Sequence, residues 1–150
     1  MIELKSILLV EDNPNDEELT LTGLAEYNLA NDVHVVHDGE EALDFLLKRK
    51  NYVDRQNGNP AVILLDLKLP KIDGIEVLRV IRSDEKLKYT PVVILTSSKE
   101  EKDKLESYKL AVNAYVVKPV NFQDFIKAIK EVGIFWAIIN EPPPGCLRKV

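Results

Sequence analysis

Cysteine is nearly absent from this sequence, and the single residue, Cys146, has no partner within the chain. A disulfide framework is therefore excluded, and a reducing, cytoplasmic setting is expected. Long apolar runs are missing as well. The early run Ile7-Leu8-Leu9-Val10 stops at Glu11-Asp12, too soon for a secretory leader, and nothing approaches the ~20 apolar residues of a membrane span. Positive charge is in deficit: 20 Lys and Arg against 25 Asp and Glu leave a net charge of −5, with no clustered basic face to track nucleic acid. Glycine is sparse at 6 residues and forms neither a GxGxxG nor a P-loop pattern, which removes the loops that cradle nucleotide phosphates. No internal repeat is visible.

What is present fits one domain. A chain of 150 residues buries roughly 70% of its unfolded surface, enough for a core without staples. Short runs rich in Val, Ile and Leu recur at residues 7–10, 33–36, 62–65, 92–95 and 114–117. Near-continuous apolar strands of this kind belong to a parallel sheet covered on both faces. Helical patterns separate them. Asn13-Pro14 reads as an N-cap followed by proline at the first helical position, with Asp16, Glu17 and Glu18 placing negative charge at the positive end of the helix dipole. The third helix is expected to bury Ile75, Leu78 and Ile81, and the fifth to bury Phe122, Phe125, Ile126, Ile129, Val132 and Trp136. Five β-then-α units predict an α/β, doubly wound, flavodoxin-like (βα)5 fold. Residues 51–60 read as a polar, turn-rich loop.

In such a sheet the ligand site lies at the carboxyl ends of the strands. There the sequence offers Glu11-Asp12 after the first strand, Asp66 after the third, Thr96 after the fourth and Lys118 after the fifth. Clustered carboxylates repel one another, and a hard divalent ion relieves that repulsion. Mg²⁺ is the expected cofactor, with Asp12 and Asp66 as direct ligands, Glu11 holding a coordinated water and the Lys68 backbone carbonyl adding a further oxygen. Asp66 is the candidate phosphoacceptor, since a carboxylate is ionised at neutral pH and needs no base. Lys118 and the metal would offset the phosphoryl charge, and Thr96 would donate a hydrogen bond. Plainer readings stand beside these. Glu11, Asp12 and Asp66 also fit solvated loop carboxylates, Lys118 a surface lysine, Thr96 a cap for the next helix, and Tyr115 an ordinary half-buried aromatic. His34 and His37 are read as structural or surface residues, because an oxygen-rich Mg²⁺ site has no use for imidazole.

From about Lys5 to Val132 the chain resembles the receiver family of two-component response regulators. The resemblance rests on Leu8-Leu9-Val10-Glu11-Asp12-Asn13, Leu64-Leu65-Asp66-Leu67, Pro70, Asp73-Gly74, Leu95-Thr96-Ser97 and Ala114-Tyr115-Val116-Val117-Lys118-Pro119. Thr96 follows Asp66 by 30 residues, and Lys118 follows Thr96 by 22. The family implies a five-stranded parallel sheet of order 2-1-3-4-5, a cis Lys118-Pro119 bond and phosphorylation of Asp66 by a sensor histidine kinase. It also implies a switch in which Thr96 moves toward the phosphoryl group and Tyr115 turns inward. On this reading residues 5–140 form a receiver domain with an extended last helix, 141–150 form a tail, and no output domain follows. The chain would then be a phosphoacceptor switch and not an enzyme in the ordinary sense.

The loop before the third strand, Phe135-Trp136 and Asn140-Glu141-Pro142-Pro143-Pro144 are similar to small response regulators that serve phytochromes and lack an output domain. That similarity implies a phytochrome-type kinase and a homodimer; Ile134 and Ile138 fall off the core stripe of the last helix with Phe135 near its edge, and this patch is the candidate interface for a homodimer or for kinase docking. Three competing readings fit less well. A phosphatase of the haloacid-dehalogenase type needs a second aspartate two residues after its nucleophile, where Lys68 stands, and a cap for which there are no spare residues. A flavodoxin-like nucleotide carrier lacks its glycine loops. A degenerate receiver that works without phosphate is opposed by the complete acidic pair, acceptor, hydroxyl and lysine.

Overall fold

A computed structural model describes residues 6–26, 33–56, 58–96, 104–106, 109–118, 123, 124, 126 and 127. Its elements are β1 (Ile7–Val10), α1 (Pro14–Glu26), β2 (Val33–Val36), α2 (Gly39–Leu47), β3 (Val62–Asp66), α3 (Gly74–Ser83), β4 (Val92–Thr96) and β5 (Ala114–Val117). The five strands form one parallel sheet of order β2-β1-β3-β4-β5, as expected.

Alternate strand residues feed two cores. Leu8, Val10, Ile63, Leu65 and Ile94 pack with Ala42, Phe45 and Leu46 of α2 and Val77, Leu78 and Ile81 of α3. Ile7, Leu9, Val62, Leu64, Val93 and Leu95 pack with Leu24 of α1 on the opposite face. Burial on both sides explains why the inner strands β1, β3 and β4 are nearly continuous apolar runs and do not alternate. In α3 the buried stripe is Val77, Leu78 and Ile81, with Ile75 only half-buried, so the helix is turned slightly from the stripe expected. Gly74 is buried at the start of the same stripe, where a Cβ would overlap the Asp66 carbonyl oxygen and press on Leu67.

Helix starts follow the local sequence. Asn13 Oδ1 accepts from the amides of Asn15 and Asp16 at 2.9 and 3.1 Å. Asp38 caps α2 by accepting from the Glu41 amide at 2.7 Å, and Asp73 caps α3 through the Glu76 amide at 3.0 Å. The polar stretch before β3 is more ordered than a plain loop. It opens with a 3₁₀ turn, Lys50–Tyr52, and Arg55 lies over the Phe45 ring, donating to the carbonyls of Phe45 and Gly58 at 2.9 and 3.0 Å.

Among the described residues, no helix is long and apolar enough to cross a membrane. Most of the expected fifth helix, the interface candidates Ile134, Phe135 and Ile138, the Lys118-Pro119 bond and the tail lie outside the described residues.

Candidate functional site

Sheet register brings the carboxylates together. Val10 pairs with Leu65 across β1 and β3, so the next residues, Glu11 and Asp66, emerge side by side at the carboxyl edge. Glu11 extends the sheet by one more hydrogen bond, its amide donating to the Val36 carbonyl at 3.0 Å. Its side chain is fully buried and Asp66 is 6% exposed, whereas the neighbouring Asp12 is exposed. One oxygen from each of the three lies within 4.8 Å of the others.

Lys118 reaches this cluster from the far side of β4. Its amide donates to the Thr96 carbonyl at 2.7 Å, continuing the β4–β5 pairing past Val117. Its ammonium donates to Glu11 Oε1 at 2.7 Å, Asp66 Oδ2 at 2.8 Å and Asp16 Oδ2 at 3.1 Å. Asp66 Oδ1 accepts from the Lys68 amide at 3.1 Å, so both acceptor oxygens are held. Thr96 ends β4 between these strands and is fully buried.

The electrostatics follow from this crowding. Burial, and next its hydrogen bond with Asp66, push the Glu11 carboxyl up to about 7 against the opposing pull of Lys118. For Lys118 burial works against the charge, but the hydrogen bonds with Asp66 and Glu11 outweigh it and raise the ammonium above its usual range. A protonation tendency in a buried carboxylate beside two others, all hard oxygen donors, is what an oxygen-seeking divalent cation would relieve. The residues present fit such an ion.

Other expected residues fall into place around the cluster. Lys68 is exposed and lines a surface pocket of about 360 Å³ with Leu67, Leu69, Asp73, Ile75 and Lys104. Tyr115 is half-buried in β5 against the first core, its phenol raised by burial and then by Glu106. His34 stacks on Phe45 with ring centroids 4.4 Å apart, and the exposed His37 pairs with Glu17 at 2.7 Å. Sequence reasoning missed two features. Asp16 was accounted for by the helix dipole alone, yet it contacts Lys118. Gly39 packs so closely that a Cβ would overlap the Ile72 carbonyl oxygen, which seats α2 against the loop after Asp66. In that loop Lys71 adopts φ 68° and reaches Asp38 Oδ2 at 3.4 Å.

Known proteins share this architecture. The bacteriophytochrome response regulator RtBRR is 59% identical, with a TM-score of 0.86 over 95% of this chain and 86% of that one. Response regulator Rcp1 of Synechocystis sp. is 40% identical over 132 residues, 88% of each protein. Its Mn²⁺-bound crystal structure superposes with a TM-score of 0.72 over 93% of this chain and 99% of that one, at 39% identity. The phosphorylated cyanobacterial phytochrome response regulator RcpA is 42% identical, with a TM-score of 0.72 over 88% of this chain and 93% of that one. The family model for the response regulator receiver domain matches residues 7–130. With the 2-1-3-4-5 sheet and the acidic edge facing a lysine, that match makes the chain a member of the response regulator receiver domain family.

Proposed function

We propose that this receiver accepts a phosphoryl group on Asp66 from a sensor histidine kinase, in a Mg²⁺-dependent reaction, and thereby switches a partner- or self-binding face. The observation that carries this reading is the Lys118 ammonium bridging Asp66 and Glu11 at 2.8 and 2.7 Å in a largely buried pocket. A carboxylate so placed has its charge partly offset before any donor arrives, and transfer rests on positioning and electrostatics.

In the reaction an Asp66 oxygen attacks phosphorus, and an O–P bond forms as the P–N bond to the donor histidine breaks. The imidazole keeps the electron pair and takes a proton from solvent. Lys118 steadies the phosphoryl oxygens, and Thr96, at the end of β4, donates to one of them. Asp12, Asp66, Glu11 and the Lys68 carbonyl would hold Mg²⁺. When bound, the ion offsets the summed charge of carboxylates and phosphoryl group. Engagement of Thr96 makes room for Tyr115 to turn inward, so phosphorylation biases two states of the β5 surface. Lys68, exposed beside the acceptor, slows hydrolysis of the acyl phosphate.

RtBRR and RcpA carry phytochrome in their names, which supports a phytochrome-type kinase as donor. RtBRR and the Rcp1 structure are matched over 86% and 99% of their own lengths, and output through the receiver surface belongs to the same reading. Homodimerisation through Ile134, Phe135 and Ile138 and a cytoplasmic setting belong to the same reading. Acetyl phosphate with and without Mg²⁺ tests it. A Phos-tag gel should show a shifted band for wild type with metal and none for Asp66→Asn, and equal labelling of Asp66→Asn would move the acceptor elsewhere. Sedimentation of Ile134→Lys should show a monomer where wild type is a dimer, and a wild type that is monomeric in both phosphorylation states would remove the dimer.

A further inference from the structure

An ammonium has three protons to donate, and in Lys118 three carboxylates take them. Two of the acceptors, Glu11 and Asp66, belong to the acidic cluster and are 0% and 8% exposed at the side chain. Asp16 does not belong to it. Its side chain comes from the first turn of α1, is 34% exposed, and makes the longest of the three contacts at 3.1 Å.

We infer that Asp16 is a positioning residue that holds the Lys118 ammonium in the unphosphorylated site and releases it when Asp66 is phosphorylated. The inference rests on Asp66 being the acceptor. With all three protons engaged, Lys118 can donate to a phosphoryl oxygen only by giving up a contact. Asp16 is the one to lose, because its carboxylate is the most open to water and is rehydrated at least cost, while Glu11 and Asp66 would be left charged in a dry pocket. Once freed, Asp16 stands as a like charge near the phosphoryl oxygens. Both effects have one sign: Asp16 favours the unmodified site over the phosphorylated one. It restrains the switch against adventitious small-molecule donors.

The test measures the second-order rate of Asp66 labelling by acetyl phosphate at saturating Mg²⁺, with intact-mass detection, in wild type, Asp16→Asn, Asp16→Glu and Asp66→Asn. In the step an Asp66 oxygen bonds to phosphorus and acetate leaves with the P–O electron pair. Asp16→Asn should label faster by roughly twofold to fivefold, the range a partly exposed ion pair commands. Asp16→Glu should return to the wild-type rate. Asp16→Asn labelling no faster than wild type would overturn the inference, as would equal acceleration in Asp16→Glu, which would trace the change to the start of α1. Wild type labelling no more than Asp66→Asn would instead overturn the assignment of the acceptor.

Discussion

Lys118 Nζ lies 2.8 Å from Asp66 Oδ2, although 52 residues and an intervening strand separate the two. The pairing brings a cation from the edge of the sheet into direct contact with the acceptor. Lys118→Ala should therefore slow acetyl phosphate labelling of Asp66 by about tenfold to a hundredfold, the scale of losing one preorganised charge. Mg²⁺ should bind the variant more tightly, because a neighbouring positive charge is gone. Isothermal titration and labelling kinetics read the two effects, and an unchanged labelling rate would place the ammonium outside the reaction.

Gly39 admits no side chain because the Ile72 carbonyl occupies the space of a Cβ. Gly39→Ala should cost about 1–3 kcal/mol in urea unfolding, since backbone must move to accept the methyl. The displaced segment is the β3–α3 loop that holds Lys68 and follows Asp66, so labelling should slow as well. Full stability in the variant would show that the loop yields without cost.

Arg82 binds two loops to the end of α3. It donates to the carbonyls of Ala111, Lys88 and Thr90 at 2.8, 3.1 and 2.7 Å and to Asn113 Oδ1 at 3.1 Å. Asn113 Oδ1 also accepts from the Val92 amide at 2.8 Å, so the cluster anchors the starts of β4 and β5. Arg82→Ala should lose about 2–4 kcal/mol. Arg82→Lys should recover little of it, because an ammonium cannot span four acceptors set out for a planar fork. Thermal and urea unfolding of the two variants decide the matter.

Tyr52 donates to Glu41 Oε2 at 3.1 Å and lies 3.2 Å from His34 Nε2. Burial, then the Glu41 carboxylate, push its phenol from 10.0 up to about 12. A group raised in the folded state adds stability below its unfolded value, here near pH 10, and loses that contribution as pH climbs toward 12. Alkaline difference spectra against Tyr52→Phe should place this ionisation near pH 12, and Glu41→Gln should bring it down. An ionisation near pH 10 in wild type would refute the contact.

The inner strands were legible because residues buried on both faces leave a nearly unbroken apolar signature in the chain. Asn13-Pro14 marked the start of α1 through chemistry confined to neighbouring residues. The strand-end carboxylates and Lys118 could be read because a parallel sheet brings all carboxyl ends to one edge. Asp16 was hidden by its own plausibility: an acid in a helix's first turn already has a reason to be there, and only the reach of a lysine from β5 gives it another. Arg55 and Arg82 gave no sign at all, since their main acceptors are backbone carbonyls that any residue carries. Val77 belongs to the buried stripe by helical spacing, since Gly74, Val77, Leu78 and Ile81 fall at i, i+3, i+4 and i+7 and leave Ile75 at its edge.

Among the described residues β5 pairs with β4 alone, at the end of the strand order. Marginal strands open more readily than central ones, and whenever this one frays it withdraws an ammonium from the acids at the centre. The Lys118 amide, bonded to the Thr96 carbonyl, is thus a natural reporter: its hydrogen–deuterium exchange counts the moments at which the acidic pocket stands without its resident cation.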